Sequence, residues 1–319
     1  MKTIDDLRQF YQDSLIPDLE VLEIERKKAS RYVILVVIFV GGIIAVGLSV
    51  GVLYLHLPVV AVMIPAVLCL IIGGFVAGMA IRAYSKNFKS RIIGKLVRFI
   101  DPNLAYYPDR CIPKSTFMLS KIFTTKPNRY KGDDLVSGKV GATQIQFSEL
   151  HAEHQSGSGK NKHRYTIFRG LFFVGDFNKD FVGWVVVLPD TAERLFGRIG
   201  QKLQALNVFR GNLIKLEDPE FERHFVVYGK DQIETRYVLS TSLMERILQF
   251  KQKTGKKVYL SFVGSMIFVA VAYARNLFEP RLFKTLLDFE PIREYFEDLQ
   301  LAVGIVEELN LNTRIWSKA

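Results

Sequence analysis

The chain has 319 residues and a net charge of +11, with 43 Lys and Arg against 32 Asp and Glu. Its two cysteines, Cys69 and Cys111, are too few for a disulfide framework and lack the spacing of metal ligands. No Lys, Arg, Asp or Glu occurs between Tyr32 and Ile81. An uncharged segment of that length excludes an ordinary soluble globular chain and predicts a membrane protein.

The uncharged segment is long enough for two membrane-spanning helices joined by a short link. The first span is predicted at about Tyr32 to Leu55 and the second at about Val59 to Ala83, since roughly 20 apolar residues cross about 30 Å of hydrocarbon. Basic residues flank both outer ends of this hairpin, whereas the link carries none. The positive-inside rule therefore predicts that both termini are cytoplasmic. An acidic stretch precedes the first span where a signal peptide would be basic, so we expect the hairpin to be retained.

Most of the excess positive charge follows the second span. Residues 82–131 contain twelve Lys or Arg and two Asp. This block directly follows the second span, so it is expected to lie next to the membrane surface. An anionic leaflet is its natural partner, since each basic side chain near such a surface contributes roughly 1 kcal/mol to binding. A nucleic-acid partner is not predicted, because no recognised motif accompanies the charge. The residues predicted to bind the membrane surface are Lys86, Lys89, Arg91, Lys95 and Arg98.

A helix before the first span offers these basic residues a second partner. Residues 4–31 have a helical pattern, which Pro17 is predicted to break or kink. The hairpin brings this helix to the same side of the membrane as the basic block. Ion pairs within the chain are therefore an alternative to lipid binding, and the acidic side chains available for them are Asp18, Glu20, Glu23 and Glu25.

Glycines inside the spans predict close helix packing. Gly47 and Gly51 have GxxxG spacing in the first span, and Gly74 and Gly78 have it in the second. Small residues let helices approach closely in lipid. Packing within the hairpin is the favoured interpretation, and a homo-oligomer of chains is the alternative. No acidic or basic residue lies between Tyr32 and Ile81, so a single copy is not expected to form a channel or transporter.

The rest of the sequence predicts an α+β fold. Short β-rich runs alternate with Gly, Pro, Asn and Asp, which favours a mainly antiparallel sheet with flanking helices. The chain then divides into an N-terminal cytoplasmic helical segment at 1–31, the transmembrane hairpin at 32–83, a basic juxtamembrane segment at 84–131 and a cytoplasmic α+β domain at 132–319.

One apolar run within this domain resembles a third span. Residues 258–273 are short for a span and have Gly264 and Ser265 at their middle, so a β-hairpin is predicted there instead. The helix predicted at 191–206 is amphipathic and faces either the core or the membrane surface. Further helices are predicted at 84–100, 240–254 and 283–309, and further strands at 135–140, 143–149, 165–174, 181–188, 212–216 and 225–228.

Known ligand-binding motifs fail on spacing. Residues 156–163 carry the glycines and lysine of a phosphate-binding loop, but His154 stands where the first glycine is needed and Asn161 where a magnesium-binding hydroxyl is needed. Asp176 begins a sequence like a calcium loop, but Phe181 replaces the glycine of that loop. We therefore predict that residues 156–163 form a polar loop and that the segment beginning at Asp176 forms a turn between strands. No cofactor is predicted.

The best metal-site candidate is also incomplete. His151 and His154 would point to opposite faces of a strand, and no second cluster closes a coordination sphere. No metal site is therefore predicted. The residues considered are Glu149, His151, Glu153, His154 and His163.

Catalysis has few candidates. No nucleophile elbow, zinc-protease motif or CxxC motif occurs. An enzyme is disfavoured, although catalytic residues can be scattered beyond the reach of any motif. Glu149 and Arg169 are alternatively predicted to be partners on neighbouring strands. The catalytic candidates worth testing are Glu149, His151, Arg169 and Asp176.

A combination of short motifs resembles a known family. The motifs are Gly-Asp-Asp-Leu-Val-Ser-Gly at 132–138, Phe-Ser-Glu-Leu at 147–150, Phe-Arg-Gly-Leu-Phe-Phe at 168–173 and Leu-Glu-Asp-Pro-Glu-Phe-Glu at 216–222. Over nearly the whole chain, the sequence resembles a bacterial membrane protein family known only as domain of unknown function 3137. The resemblance implies an uncharacterised bacterial membrane protein with a two-span anchor, and it brings no catalytic residues.

The pattern as a whole favours a membrane-anchored cytoplasmic binding or scaffold protein. A protein, a lipid headgroup or a small ligand is the expected partner. The first alternative is a membrane-associated, hydrolase-like enzyme acting on a phosphate- or lipid-derived substrate, which would need a concave pocket with convergent polar groups. The second is an oligomeric accessory of a membrane complex, using the glycine faces of the spans.

Overall fold

The computed structural model describes residues 2–52, 58–157, 162–177, 179–190 and 211–312. The predicted helix at 191–206, the link at His56 and Leu57, and the centre of the loop at 156–163 lie outside these residues. The chain forms two compact units. The helical unit comprises Met1–Lys95 and Phe278–Glu294, and the sheet unit comprises Leu96–Leu277 and Tyr295–Ala319.

The helical unit begins with a capped helix. Helix α1 (Ile4–Phe10) has a capping box, in which the Thr3 side chain accepts from the Asp6 amide and Asp6 accepts from the Thr3 amide. A π turn (Tyr11–Leu15) connects it directly to α2 (Ile16–Val46). Pro17 lies in the first turn of α2, directly after this π turn, and the helical path continues through it.

Two long helices follow one another in this unit. A second π turn (Gly47–Val52) ends the first, and α3 (Val59–Phe88) forms the second, followed by a third π turn (Lys89–Ile93) and α4 (Gly94–Ile100). Both helical paths are long and apolar enough to cross a membrane, and only 6% of the most apolar window of each is buried. Their apolar side chains therefore face outward, as Phe39 does at 65% exposure.

The sheet unit contains nine antiparallel strands among its described residues, in the order β1-β2-β3-β4-β9-β8-β5-β7-β6. This arrangement, with its helices, confirms the predicted α+β class. The strands are β1 (Leu104–Tyr107), β2 (Arg129–Val140), β3 (Thr143–Ser156), β4 (His163–Asp176), β5 (Trp184–Pro189), β6 (Asn212–Ile214), β7 (Phe225–Gly229), β8 (Val258–Val263) and β9 (Met266–Ala272).

The apolar run at 258–273 is a β-hairpin, as predicted. Strands β8 and β9 pair directly, and Gly264 in their turn has a left-handed φ of +57° that favours glycine. β1 was not predicted. It is a short strand at the sheet edge and is paired only with β2.

Helices flank the sheet. They are α5 (Lys114–Leu119), α6 (Pro219–His224), α7 (Gln232–Val238), α8 (Thr241–Thr254) and α9 (Phe289–Glu308). Asp218 caps α6 and Pro219 occupies its first turn, as the sequence indicates. The predicted helix at 283–309 begins only at Phe289, because the preceding residues form turns and a loop.

Both faces of the sheet are covered. On one face, residues of β3, β4, β9, β5 and β7 form a core with the segment before β2, in which Phe117, Phe172 and Phe268 are completely buried. On the other face Phe147 and Phe173 are completely buried. The fold thus buries large apolar side chains on both faces of the sheet.

Candidate functional site

Three contacts hold the two helical paths side by side in an antiparallel arrangement. A Cβ atom on Gly73 of α3 would lie 2.7 Å from a methyl carbon of Val36 on α2, so the helices are in close contact there. Nearer the other end, the Asn87 amide donates to Glu25 at 2.9 Å. Further along, the Lys95 ammonium is 2.6 Å from Asp18. The acidic helix before the first candidate span therefore pairs with the basic segment after the second.

This pairing uses some of the basic residues that were predicted to bind a membrane surface. Lys95 pairs with Asp18, and Lys89, whose side chain is only 5% exposed, lies 2.7 Å from Glu279. Lys86, Arg91 and Arg98 are exposed. Exposed basic residues also lie closer to the apolar segments, and these are Lys27, Lys28, Arg31 and Arg82.

A buried ion pair holds the returning segment 278–294 against α2. Arg26 forms two hydrogen bonds to Glu23, at 2.8 and 2.7 Å, and donates to the Leu282 carbonyl at 2.7 Å. Glu23 in turn accepts from the Leu286 amide at 3.0 Å. The hydrogen bond from Arg26 lowers the pKa of Glu23, and the same bond raises the pKa of Arg26. Because both charges have polar partners, the pair organises this segment without leaving an uncompensated buried charge.

An apolar groove of 410 Å³ lies between the two long helices. Its volume is in the range of small-molecule sites. Gly73 is part of its wall, whereas a Cβ atom on Gly74 or Gly78 would meet nothing within 4 Å. Within one chain, Gly73 therefore contacts α2 closely, although it is not part of the Gly74 and Gly78 pair. The groove is lined by Tyr32, Leu35, Val36, Phe39, Val40, Cys69, Ile72 and Gly73.

In the sheet unit, three of the four catalytic candidates share a face of the sheet. His151 is opposite Arg169, and Glu149 is opposite Leu171 one pair further along the same face. Asp176 is at the far end of β4, opposite Met266 and at an odd spacing from Arg169, so it is remote from the other three.

Glu149 and Arg169 both contact the loop that follows β9. Glu149 accepts from the Leu277 amide at 2.8 Å, and Arg169 donates to the Asn276 side chain at 2.6 Å. The Arg169 carbonyl also accepts from the Tyr273 amide. These contacts give the two residues a structural role, because they satisfy polar groups of consecutive loop residues.

Glu149 also belongs to a cluster of three carboxylates. Oxygen atoms of Asp133, Asp134 and Glu149 lie within 4.8 Å of one another. Asp134 is completely buried at a β-bulge, has a left-handed φ of +59°, and accepts from the Tyr106 hydroxyl. Such oxygen ligands suit a hard cation. The Gly-Asp-Asp motif is the sole sequence signal for this cluster, because the bulge that turns Asp134 inward cannot be recognised locally.

Cys111 lies beside this cluster. Burial, and to a lesser extent the negative charge of Asp133, raise the pKa of the Cys111 thiol. A raised thiol pKa lowers the fraction of reactive thiolate at neutral pH. The environment is therefore that of a structural cysteine.

The other residues considered for a metal site have different neighbours. Glu153 lies 3.4 Å from Arg129, 3.9 Å from Arg164 and 3.7 Å from His151. The ring of His154 instead contacts the Lys126 carbonyl at 3.1 Å. Among these residues only Glu149 is part of the carboxylate cluster.

A family model matches part of the second half of the chain. Residues 166–311 match the family model described as protein of unknown function (DUF3137). This match confirms the resemblance to that domain of unknown function for the motifs at 168–173 and 216–222, which lie within the matched range. It includes Arg169 and Asp176, whereas Glu149 and both candidate spans precede the matched range. No curated protein matches the chain.

A solved structure also shows similarity. It is the crystal structure of the mycobacterial trehalose monomycolate transport factor A, with 9% sequence identity and a TM-score of 0.31. The alignment covers 66% of this chain and 96% of that one.

Proposed function

We propose that this chain is an integral protein of a bacterial inner membrane, anchored by a two-span hairpin with both flanks in the cytoplasm. Its sheet unit acts there as a binding or scaffold domain for a protein, a lipid headgroup or a small ligand. The observation that carries the proposal is the outward-facing apolar surface of α2 and α3.

That surface needs an apolar solvent. Leu35, Val37, Ile38 and Phe39 are 60 to 66% exposed and follow one another on α2. Contiguous apolar patches of more than a few hundred Å² are rare on soluble monomers, and about 20 apolar residues are enough to cross a bilayer. A lipid bilayer would provide the apolar environment for both helices without any further protein.

The charges beside this surface support the orientation. Lys28 and Arg31 are exposed before the first apolar segment, and Arg82 and Lys86 are exposed after the second. Since the helices are antiparallel neighbours, these basic side chains belong to the same end of the hairpin. A cytoplasmic location of that end follows the positive-inside rule.

A binding role is favoured over catalysis by the contacts of the catalytic candidates. Glu149 and Arg169 form hydrogen bonds to the loop after β9, and Asp176 is at the opposite end of its strand. A catalytic site would bring such groups together around a reacting atom. The same residues are more simply explained as supports of the sheet unit.

Cysteine labelling tests both the anchor and its orientation. In a C69S/C111S background, we would introduce the single substitutions P58C, Q9C and I233C, all at exposed positions. A membrane-impermeant maleimide should label P58C in intact spheroplasts, and label Q9C and I233C only after lysis. Labelling of Q9C and I233C in intact cells would contradict the orientation. Release of the full chain by alkaline carbonate would contradict the anchor itself.

A further inference from the structure

We infer that the groove between α2 and α3 binds an acyl chain of an anionic phospholipid from the inner leaflet. The lipid headgroup would meet the exposed basic residues at the cytoplasmic end of the groove. This inference rests on the proposed membrane anchor, and it adds a specific ligand class to it.

The shape of the groove suits a linear apolar chain. The residues that line it on α2 recur at helical spacing from Tyr32 to Val40, a stripe of about 12 Å at a rise of roughly 1.5 Å per residue. On α3, Cys69, Ile72 and Gly73 follow the same spacing. The groove therefore runs along the helices, as a lipid tail does in a bilayer.

The charge around the groove suits an anionic headgroup. Measured along the helix axes from the contact between Val36 and Gly73, Arg31, Lys28 and Arg82 lie roughly 7 to 14 Å away, all toward the cytoplasmic end. All three are exposed. No acidic residue occurs between Tyr32 and Ile81. Of the carboxylates beside this end, Glu25 accepts from Asn87, and Glu279 accepts from Ser85 and pairs with Lys89. Basic side chains next to an apolar pocket at this depth are typical of sites for anionic lipids.

A helix of a second chain fits the groove less well. Close helix packing in membranes uses small residues. The single glycine in the lining, Gly73, already contacts Val36, whereas Gly74 and Gly78, which have open space around them, are not part of the lining. The remaining wall is formed mainly by larger side chains, which do not allow a second helix the close approach that small residues give.

Lipid retention by the full-length protein tests the inference. We would purify wild type, L35W and V37W in mild detergent, wash away loosely bound lipid and measure the phospholipid that remains by native mass spectrometry. Leu35 and Val37 are similarly exposed on α2, at 60 and 66%, but only Leu35 lines the groove. Wild type and V37W should retain an anionic phospholipid, and L35W should retain about tenfold less. Equal retention by L35W and wild type would overturn the inference.

The headgroup and a competing occupant need separate measurements. The double variant R31Q/R82Q should keep a bound lipid but lose its preference for anionic over zwitterionic headgroups. In a C111S background, adding anionic lipid to delipidated protein should slow alkylation of Cys69 by N-ethylmaleimide. Efficient cross-linking of Cys69 between two chains would instead place a second copy in the groove and refute the lipid assignment.

The anchor and the groove can fail separately. If all variants resist extraction by alkaline carbonate and none retains lipid, the groove inference is wrong and the anchor stands. If wild type itself is extracted, the proposed anchor is wrong.

Discussion

Phe39 and Phe172 show how differently the two units treat the same side chain. Phe39 on α2 is 65% exposed, whereas Phe172 in the sheet is completely buried among other aromatic rings. In the sheet unit the protein supplies the apolar environment itself. Along the apolar segments of α2 and α3 the environment must come from outside the chain, whereas Leu19, Phe88 and Ile92, near the charged flanks, are completely buried. The stability of the sheet unit therefore depends on its core, and that of the apolar segments on their solvent.

The largest expected effect comes from deleting a core ring. Phe172 packs on Phe117, Phe168 and Phe268, with ring centroids 5.3 to 6.3 Å apart. F172A should lower the free energy of unfolding of the sheet unit by about 3 to 5 kcal/mol. The matched variant F39A should change it little. Pulse proteolysis across a urea series measures the free energy of unfolding of both variants. Equal decreases in F172A and F39A would contradict the proposed difference between the two units.

A charge in the exposed apolar surface should have the next largest effect. V37D places a carboxylate where the proposed bilayer lies, at an expected cost of about 2.5 to 3.5 kcal/mol to insertion. The fraction of the protein that resists carbonate extraction should therefore fall. V182D, at a position that is 92% exposed in the sheet unit, is the control and should leave that fraction unchanged. Full insertion of V37D would argue against membrane contact at this position.

Breaking the buried ion pair should have an intermediate effect confined to the helical unit. E23Q leaves Arg26 without its carboxylate partner, and we expect a loss of about 1 to 3 kcal/mol. The segment that Glu23 and Arg26 hold contains the exposed residues Arg281 and Lys284, where trypsin should cleave faster. The exposed neighbour Glu20 provides the control variant E20Q. Unchanged cleavage in E23Q would show that other contacts hold the segment.

The smallest expected effect is on the pH dependence of stability, which should have opposite signs for Glu23 and Asp298. The pKa of Glu23 is lowered in the folded state, so its contribution to stability is present above the ordinary value of 4.5 and is lost as pH falls through the folded pKa. Burial raises the pKa of Asp298 in the sheet unit above 3.8, so its ionisation opposes folding as pH rises. Because trypsin is inactive at low pH, pepsin cleavage between about pH 3 and 5 is the measurement of how readily segment 278–294 is released. E23Q should flatten the acid-induced release of segment 278–294, and D298N should not.

The structural features that could be predicted from the sequence are those set by residues close together in the chain. Some features depend only on residues a few positions apart, so they can be predicted from the sequence pattern. They are the helix cap at Asp218 and the antiparallel hairpin that turns at Gly264. The carboxylate cluster depends on a bulge that places Asp134 beside Glu149 on the neighbouring strand. Its residues share a motif and a strand pair, but their convergence requires the register of the sheet.

The sequence by itself determined the two apolar segments, the charge that flanks them and the α+β class, because these follow from composition and short-range periodicity. Tertiary structure alone decided which charges remain exposed. Lys89 pairs with Glu279, and Arg26 binds the Leu282 carbonyl across 256 positions of sequence. It also placed Val36 against Gly73, which shapes the groove. The physical reason is that a contact between distant residues depends on where the chain returns, and no local pattern records that return.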